Sequence, residues 1–430
     1  RAEPSGAKVI RIRKLAAIAI GIHLAVGALF YRAHAQAPDP FFSEIDEIMA
    51  ELSEITGLKQ LKKVEYARIG KADVKQFLED RVKEAVKPEE IRAEELMLRK
   101  FGFVPADFDL KGAMIELLSE QAAAFYDYRK KKLFMVDSAS GLLQHSVLVH
   151  ELAHALADQH FNLKRYVDRV ANEDDASFAR LAVMEGQATW LMSEYLTRRT
   201  GQSLKDSPVL LKLMSSATEV MSGQYPVFDR APLYLRETLL FPYAQGLLFQ
   251  HAVIEKLDKA GFAEVFRRPP VSTQQILHPE KYFENAKPVR PPLPELENSR
   301  AWRKFTEGDL GELEHAILLK QYAPEESEGL AASWRGGYYR MLEHKADKRM
   351  ALVYASEWAG EDAAKKFFEL YQKVLRGKWK TFEVMSETEH AVAGRGDDGY
   401  FLLSRDGTRV SSLEGLDAPA RPKTSVNALN

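Results

Sequence analysis

Residues 148–158 read Leu-Val-His-Glu-Leu-Ala-His-Ala-Leu-Ala-Asp, and the interpretation of the whole chain depends on this stretch. Leucine recurs at every fourth position, which is the spacing of the buried stripe of an amphipathic α-helix. His150 and His154 are also four residues apart, so both imidazoles lie on one face of that helix. Two histidines in this arrangement can occupy two corners of a tetrahedral zinc site. Glu151 lies beside such a metal, where it can take a proton from the water that the metal activates.

The composition is that of an ordinary globular protein and limits the chemistry that the chain can perform. Of its 430 residues, 46% are apolar and 28% are charged, and the formal net charge is −2. A net charge so close to zero gives no indication of nucleic-acid binding. The chain has no cysteine, which excludes disulfides, thiolate zinc ligands and cysteine nucleophiles. Histidine, aspartate and glutamate remain as metal ligands.

The third protein ligand has two candidates, Glu185 and His160. Glu185 lies in a second helical pattern with apolar residues on both sides, where a buried carboxylate needs a charged partner. Gly186 would allow this helix to approach the histidine-bearing helix closely. His160 has the metzincin spacing relative to His150, but Ala157 stands where that motif needs glycine. On a continuous helix His160 points about 80° away, so the sequence favours Glu185.

The first 35 residues differ in character from the rest of the chain. Basic residues within 8–14 precede an apolar run at 15–30, and Ala-His-Ala follows at 33–35. This order predicts a signal peptide over residues 1–35 and an exported protein, in the bacterial periplasm or the extracellular space. The alternative is an uncleaved segment that anchors the protein to the membrane, although the run is short for a span. The leader has six basic residues and one acidic residue, so its removal changes the formal net charge from −2 to −7.

Apolar periodicity and proline-rich punctuation divide the remaining chain into three regions. Residues 36–123 are predicted to be a helical N-terminal region, which one interpretation treats as a pro-region. Residues 124–300 are the predicted core, and a proline-rich stretch at 288–292 marks its boundary with a C-terminal α+β region at 301–430. The predicted helices lie at about 41–56, 71–85, 88–101, 111–123, 144–160, 174–199, 244–259 and 360–376.

Two β-hairpins are also predicted. The first covers residues 124–137 and has a basic turn at 129–132, which is most simply a solvated tip. The second turns at 405–407 near the end of the chain. The predicted fold class is therefore α+β, with helix predominating.

The histidine motif and its continuation resemble those of the gluzincins, the thermolysin-like zinc peptidases that use two histidines and one downstream glutamate. The similarity is carried by His150-Glu-Leu-Ala-His154 and by Glu185-Gly-x-Ala, and it covers roughly residues 124–195. It implies a zincin-like catalytic domain in which His150, His154 and Glu185 bind zinc and Glu151 is the general base. It also implies a small β-sheet ahead of the histidine-bearing helix, with an edge strand that holds a peptide or protein substrate.

One position departs from the family pattern. Thermolysin-like enzymes have an aspartate one turn after the ligand glutamate, where it orients a zinc-binding histidine. This chain has Thr189 at that position. The hydrogen bond that orients the histidine would therefore come from Thr189, from Asp158, or from a group that the sequence does not identify.

The same family takes a hydrogen-bond donor for the oxyanion from a histidine or tyrosine farther along the chain. His278, in a proline-punctuated segment without clear periodicity, is the leading candidate for this catalytic role. Tyr282 and Tyr243 are the alternatives.

Two functions remain open on the sequence alone. The first is an exported zinc metallopeptidase acting on a peptide or protein substrate. The second is a non-catalytic zinc-binding or scaffold protein that retains the same fold. Glu151 favours the enzyme, because a site without catalytic activity has no need of a general base. Nothing in the sequence indicates an oligomeric state.

Overall fold

The computed structural model describes residues 44–137, 141–220 and 225–419. The predicted leader, residues 1–35, lies outside the described residues. Within the described ranges, no helix combines the length and the apolar character needed to cross a membrane. The described chain is α+β with helix predominating, as the sequence predicts.

A small sheet precedes the histidine-bearing helix in the chain. Its strands are β1 (Glu65–Ile69), β2 (Ala124–Asp127) and β3 (Lys132–Val136), in the order β1-β3-β2. β2 and β3 pair antiparallel, which confirms the predicted hairpin, and β1 pairs with β3 in parallel. β1 was missed because its side chains are mostly exposed, so it lacks the alternation that reveals a strand.

Helices make up most of the chain before the proline-rich stretch. Those predicted within residues 41–199 are confirmed, with ends that differ by a few residues. The histidine-bearing helix is α5 and the helix of Glu185 is α7. The helices are α1 (Ile45–Thr56), α2 (Lys71–Ala85), α3 (Pro88–Phe101), α4 (Leu110–Gln121), α5 (Gly141–Phe161), α6 (Leu163–Asp168), α7 (Asp174–Arg198), α8 (Pro208–Val220), α9 (Pro226–Arg230), α10 (Leu233–Leu257), α11 (Ala260–Arg267), α12 (Thr273–Leu277) and α13 (Pro279–Phe283).

α10 continues through Pro242, whereas the sequence predicts a helix only from residue 244 onward. The predicted start was wrong because proline usually ends a helix: it lacks the N–H that would bond to the carbonyl one turn earlier. Here α10 packs along α7, and this contact holds the helix on both sides of the missing hydrogen bond.

α7 and α10 come into backbone contact where Gly186 faces Gly246. A Cβ atom added to Gly186 would lie 2.1 Å from the carbonyl carbon of Gly246. A Cβ atom added to Gly246 would lie 2.2 Å from the carbonyl oxygen of Ala182. Only glycine permits so close an approach. The sequence predicts that Gly186 faces the histidine-bearing helix, whereas its close neighbour in the structure is α10.

The N-terminal region packs directly onto the core. β1 is an outer strand of the small sheet, and α1, which buries Met49 and Leu52, packs on α5. The side chain of Gln159 in α5 accepts hydrogen bonds from the backbone N–H groups of Leu61 and Lys62. Strand pairing, apolar packing and hydrogen bonds therefore all connect this region to the histidine-bearing helix.

Removal of residues 36–123 is expected to unfold the core. The truncation would turn β3 into an unpaired edge and expose the apolar face of α5 that α1 covers. In urea denaturation, the full chain should unfold cooperatively, and the truncated chain should be insoluble or show no cooperative transition. A truncated chain that unfolds cooperatively would contradict this expectation and would support the pro-region interpretation.

The C-terminal region contains a second, antiparallel sheet with α14 (Glu312–Tyr322) and α15 (Glu361–Lys378) packed against it. Its seven strands follow the order β4-β5-β6-β10-β9-β8-β7. β9 and β10 confirm the predicted terminal hairpin. The strands are β4 (Trp302–Asp309), β5 (Trp334–His344), β6 (Met350–Trp358), β7 (Phe382–Glu387), β8 (Ala391–Gly396), β9 (Gly399–Asp406) and β10 (Arg409–Leu416).

Candidate metal centre

Three side chains from two helices meet at one buried point, and we call them the triad. His150 and His154 come from α5, and Glu185 comes from α7. The Nε2 atoms of the two histidines are 2.9 Å apart. Glu185 Oε2 lies 3.3 Å from His150 Nε2 and 3.4 Å from His154 Nε2. Among the described residues, no other group of three or more potential metal ligands converges in this way.

The separations within the triad fit a zinc ion. Ligand atoms about 2 Å from a tetrahedral zinc lie about 3.3 Å from one another. Two imidazoles and a carboxylate are also a donor set of catalytic zinc sites, which leave the fourth position for water or substrate. His160 is not in this group, since its Nε2 is 2.8 Å from the carbonyl oxygen of Lys59. The structure thus brings Glu185, rather than His160, to the two histidines.

Burying the carboxylate of the triad costs free energy unless a positive charge lies beside it. His150, His154 and Glu185 are 0%, 2% and 1% exposed. An ionised carboxylate so far from water needs a cation beside it. Burial alone would lower the pKa of His154, but the neighbouring Glu185 carboxylate reverses the direction and raises it. The triad is therefore a site for a cation, either a proton on histidine or a metal ion.

Glu151 is completely buried on α5, next to His150. Its Oε2 accepts a hydrogen bond of 2.7 Å from the backbone N–H of Tyr126 in β2. Burial raises the pKa of the Glu151 carboxyl to about 8; the charge of His154 opposes the rise and that of Glu185 adds to it. A carboxyl group with a pKa close to neutrality can both accept a proton and return it near pH 7.

Tyr243 on α10 also reaches the triad. Its ring centroid is 6.3 Å from that of His150, and its hydroxyl is hydrogen-bonded to Glu185. Burial raises the pKa of Tyr243 well above its usual value, and the charges of Glu185 and Glu151 add to the rise. The hydroxyl therefore stays protonated and can donate a hydrogen bond. The glycine contact between α7 and α10 brings Tyr243 and Glu185 together, because each lies within one turn of it.

The other two residues considered as oxyanion donors make different contacts. His278 Nε2 is 2.7 Å from Glu312 Oε1, and His278 Nδ1 is 3.7 Å from Glu280 Oε1. The hydroxyl of the buried Tyr282 donates a hydrogen bond of 2.8 Å to the backbone carbonyl of Arg268. Within the described part of the chain, none of these contacts joins His278 or Tyr282 to the triad. The geometry therefore favours Tyr243 over both.

The orienting contact for a zinc-binding histidine is not found at either residue considered for it. Thr189 Oγ1 is buried and has no hydrogen-bond partner among the described residues. Asp158 accepts hydrogen bonds from the Tyr126 hydroxyl, from Lys131 Nζ and from the backbone N–H of Leu163. These contacts of Asp158 stabilise the turn of the small sheet and the start of α6.

Tyr126 lies in the predicted hairpin, but the sequence gives it no role in the site. Its backbone N–H donates a hydrogen bond to Glu151. Its hydroxyl donates one of 2.9 Å to Asp158 Oδ2, farther along the same helix. A backbone donor leaves no trace in the residue type, so no sequence signal could have revealed the first contact. Tyr243 was named as an alternative donor, but the predicted helix begins at residue 244, so the sequence does not place Tyr243 on the helix face that it shares with Gly246.

Comparison with known proteins gives a match in the C-terminal region. Residues 300–424 match a family described as a domain of unknown function (DUF8575). This range contains the seven-stranded sheet and none of the triad residues. No curated protein and no solved structure matches the chain.

Proposed function

We propose that the protein is an exported zinc metallopeptidase that hydrolyses peptide bonds. The observation that carries this proposal is the convergence of His150, His154 and Glu185, whose ligand atoms lie within 3.4 Å of one another. Glu151 on the same helix adds a general base. The resemblance to gluzincins supports the zincin-like assignment, and export rests on the predicted leader.

When bound, zinc would supply Lewis acidity to the scissile carbonyl and to the attacking water. The Tyr126 N–H fixes the orientation of the Glu151 carboxylate through Oε2. Glu151 takes a proton from the water and then delivers it to the leaving amine, acting first as a base and then as an acid. The protonated hydroxyl of Tyr243, whose single hydrogen is directed at Glu185 in the resting site, would turn to donate its hydrogen bond to the oxyanion that develops.

Burial of the triad is the observation that favours the alternative function, a non-catalytic zinc-binding or scaffold protein. Glu151 and the triad are each at most 2% exposed, so a peptide reaches them only after a covering element moves. Structural zinc sites are closed in this way, but they have four protein ligands. Three convergent ligands with a base beside them favour the peptidase.

Zinc content and hydrolysis, measured on one preparation of the full chain, separate the two functions. We expect about one equivalent of zinc per chain, because the described residues form one such site. We also expect cleavage of an unfolded protein substrate. A chelator should abolish the cleavage and added zinc should restore it, whereas His154→Ala should lose both zinc and cleavage. Stoichiometric zinc with no cleavage of unfolded proteins or peptides would support the scaffold instead. A chain that binds no zinc would refute both functions.

Replacement of Tyr243 with Phe is expected to lower kcat by about 10²-fold, which is typical of the loss of one oxyanion donor. Zinc content should be unchanged, because the ring stays in place and the three ligands are untouched. Steady-state kinetics on a peptide substrate and metal analysis measure both quantities.

Tyr282→Phe is the matched control, since it removes a buried tyrosine hydroxyl that bonds to Arg268 instead. It should cost about 1 kcal/mol of unfolding free energy and leave kcat unchanged. Wild-type kcat in Tyr243→Phe would exclude Tyr243 as the donor. A large loss of kcat in Tyr282→Phe would restore the role that the sequence suggested for that residue.

A further inference from the structure

Two basic segments that are distant in sequence form one exposed surface. The segments are the turn between β2 and β3 and the helix α6 with the residue that follows it. We call their exposed cationic residues the basic surface: Arg129, Lys130, Lys131, Lys164, Arg165 and Arg169. In sequence the turn alone is most simply a solvated tip, but the fold places a second group of cations beside it.

Asp158, near the end of α5, joins the two halves of the basic surface. Its Oδ1 accepts a hydrogen bond of 2.7 Å from Lys131 Nζ and one of 2.8 Å from the backbone N–H of Leu163. Leu163 is the first residue of α6. Two donors that share one oxygen lie within about 6 Å of each other, so the turn and the start of α6 adjoin.

The basic surface carries an excess of positive charge. Lys131 is paired with Asp158 and Lys164 with Asp168, each at 2.6 Å. Among the described residues, no carboxylate lies within 4.0 Å of the side-chain nitrogens of the other four, which are Arg129, Lys130, Arg165 and Arg169. On a chain with a formal net charge of −2, this concentration of cations attracts anionic groups.

The α6 half of the basic surface is also concave. A surface pocket of about 330 Å³ is lined by Arg165 and Arg169 together with Asn162, Lys164 and Asp168. Guanidinium groups bind carboxylates through two parallel hydrogen bonds, which makes arginine well suited to recognise them. The pocket therefore fits a carboxylate-bearing side chain.

Asp158 also links the basic surface to the proposed catalytic site. It lies seven residues after Glu151 on α5, which corresponds to about 10 Å along the helix axis on nearly the same face. Tyr126 spans this distance, because its N–H binds Glu151 and its hydroxyl binds Asp158. An extended peptide rises about 3.3 Å per residue, so a side chain about three residues from the scissile bond would reach the basic surface.

We propose that the basic surface binds acidic side chains of the substrate on one side of the scissile bond. This inference rests on the proposed peptidase function and names its substrate class: segments rich in aspartate and glutamate. The basic surface would contribute to substrate affinity and leave the chemistry to the triad and Glu151.

The test uses quenched fluorescent peptides in pairs that differ only by Asp-Glu against Asn-Gln, placed about three residues before or after the cleaved bond. The full chain should cleave the acidic member of one pair with a kcat/KM about tenfold higher, mainly through a lower KM. The preference should shrink in high salt, which screens exposed charges. Equal kcat/KM for both members of every pair would overturn the proposal.

Reversing the charge of two residues of the basic surface tests whether that surface causes the preference for acidic peptides. The double variant Arg165→Glu/Arg169→Glu should abolish the preference, so that the acidic and the Asn-Gln members of the pair are cleaved with equal kcat/KM. Arg267→Glu/Lys287→Glu makes the same change of charge at two other exposed positions and should retain the preference. A preference that survives in Arg165→Glu/Arg169→Glu would overturn the proposal.

Binding to the Glu151→Gln variant separates this inference from the proposed function. Fluorescence anisotropy should show that the acidic peptide binds this variant and that adding Arg165→Glu/Arg169→Glu abolishes binding. Binding with no hydrolysis by wild type would refute the peptidase and leave a surface for acidic peptides. Binding to phosphatidylglycerol vesicles without any preference between the peptides would overturn the inference in favour of a lipid surface.

Discussion

Replacement of Glu151 with Gln is expected to reduce hydrolysis by about 10²–10⁴-fold and to leave zinc bound. The amide has nearly the shape of the carboxylate but cannot accept a proton from the attacking water. Its carbonyl oxygen can still accept the hydrogen bond from the Tyr126 N–H, so the buried side chain keeps that partner. The triad ligands are unchanged. The variant should therefore lose the chemistry while it retains the fold and the metal.

The measurements are kcat/KM on an unfolded protein or peptide and the zinc content of the same sample. Glu89→Gln is a suitable control, because it makes the same chemical change at an exposed position on another helix. It should retain both activity and zinc. If Glu151→Gln cleaves as well as wild type, the assignment of Glu151 as general base is wrong. If it loses zinc, the effect belongs to the metal site rather than to proton transfer.

Replacement of Gly186 with Ala is expected to destabilise the protein by about 3 kcal/mol or more, at the upper end of what overpacking costs. The added methyl group would lie 2.1 Å from the carbonyl carbon and 2.2 Å from the carbonyl oxygen of Gly246. Both are backbone atoms, so no side-chain rotation can relieve the contact and the two helices must separate. Because Glu185 and Tyr243 flank this contact, their separation should also lower peptidase activity.

Urea denaturation of the full chain measures the loss of unfolding free energy. Gly246→Ala should behave in the same way, since its methyl group would lie 2.2 Å from the carbonyl oxygen of Ala182. Gly360→Ala is the control, because its added Cβ meets no atom within 4 Å and the backbone there is extended. It should destabilise the protein by about 1 kcal/mol or less, which is the cost of replacing glycine at the N-cap of α15. A Gly186→Ala variant as stable as Gly360→Ala would show that the two helices are not in backbone contact.

Much of the fold was predictable because helices are encoded locally. The apolar stripes of α1 to α5 and of α7 recur at helical spacing, so their positions follow from neighbouring residues alone. β1 was not predictable, since its partner β3 lies more than sixty residues away and its exposed side chains carry no alternation. The start of α10 was missed because the free-energy cost of Pro242 within a helix is visible in the sequence. The packing of α10 on α7 that offsets this cost is not visible there, since it involves residues distant in the chain.

The triad illustrates the same division within one site. His150 and His154 are one helical turn apart, so their convergence is a property of α5 alone. Glu185 lies on a second helix. The sequence favours it as the third ligand, but its distance from the two histidines depends on how α5 and α7 pack. Tyr243 required a third helix, and the sequence ranked it behind His278, whose loop-like surroundings gave no information on distance.

The sequence by itself determined the two histidines, the glutamate between them, the helices α1 to α5 and α7 and the absence of cysteine, because each depends on residue type or on local spacing. Only the tertiary structure decided that Glu185 rather than His160 completes the triad and that Tyr243 reaches it. It also decided that the two basic segments adjoin. These features depend on how closely helices and strands approach one another in space. That approach is set by the backbone contact at Gly186 and Gly246 and by hydrogen bonds such as those of Asp158, which no local pattern records.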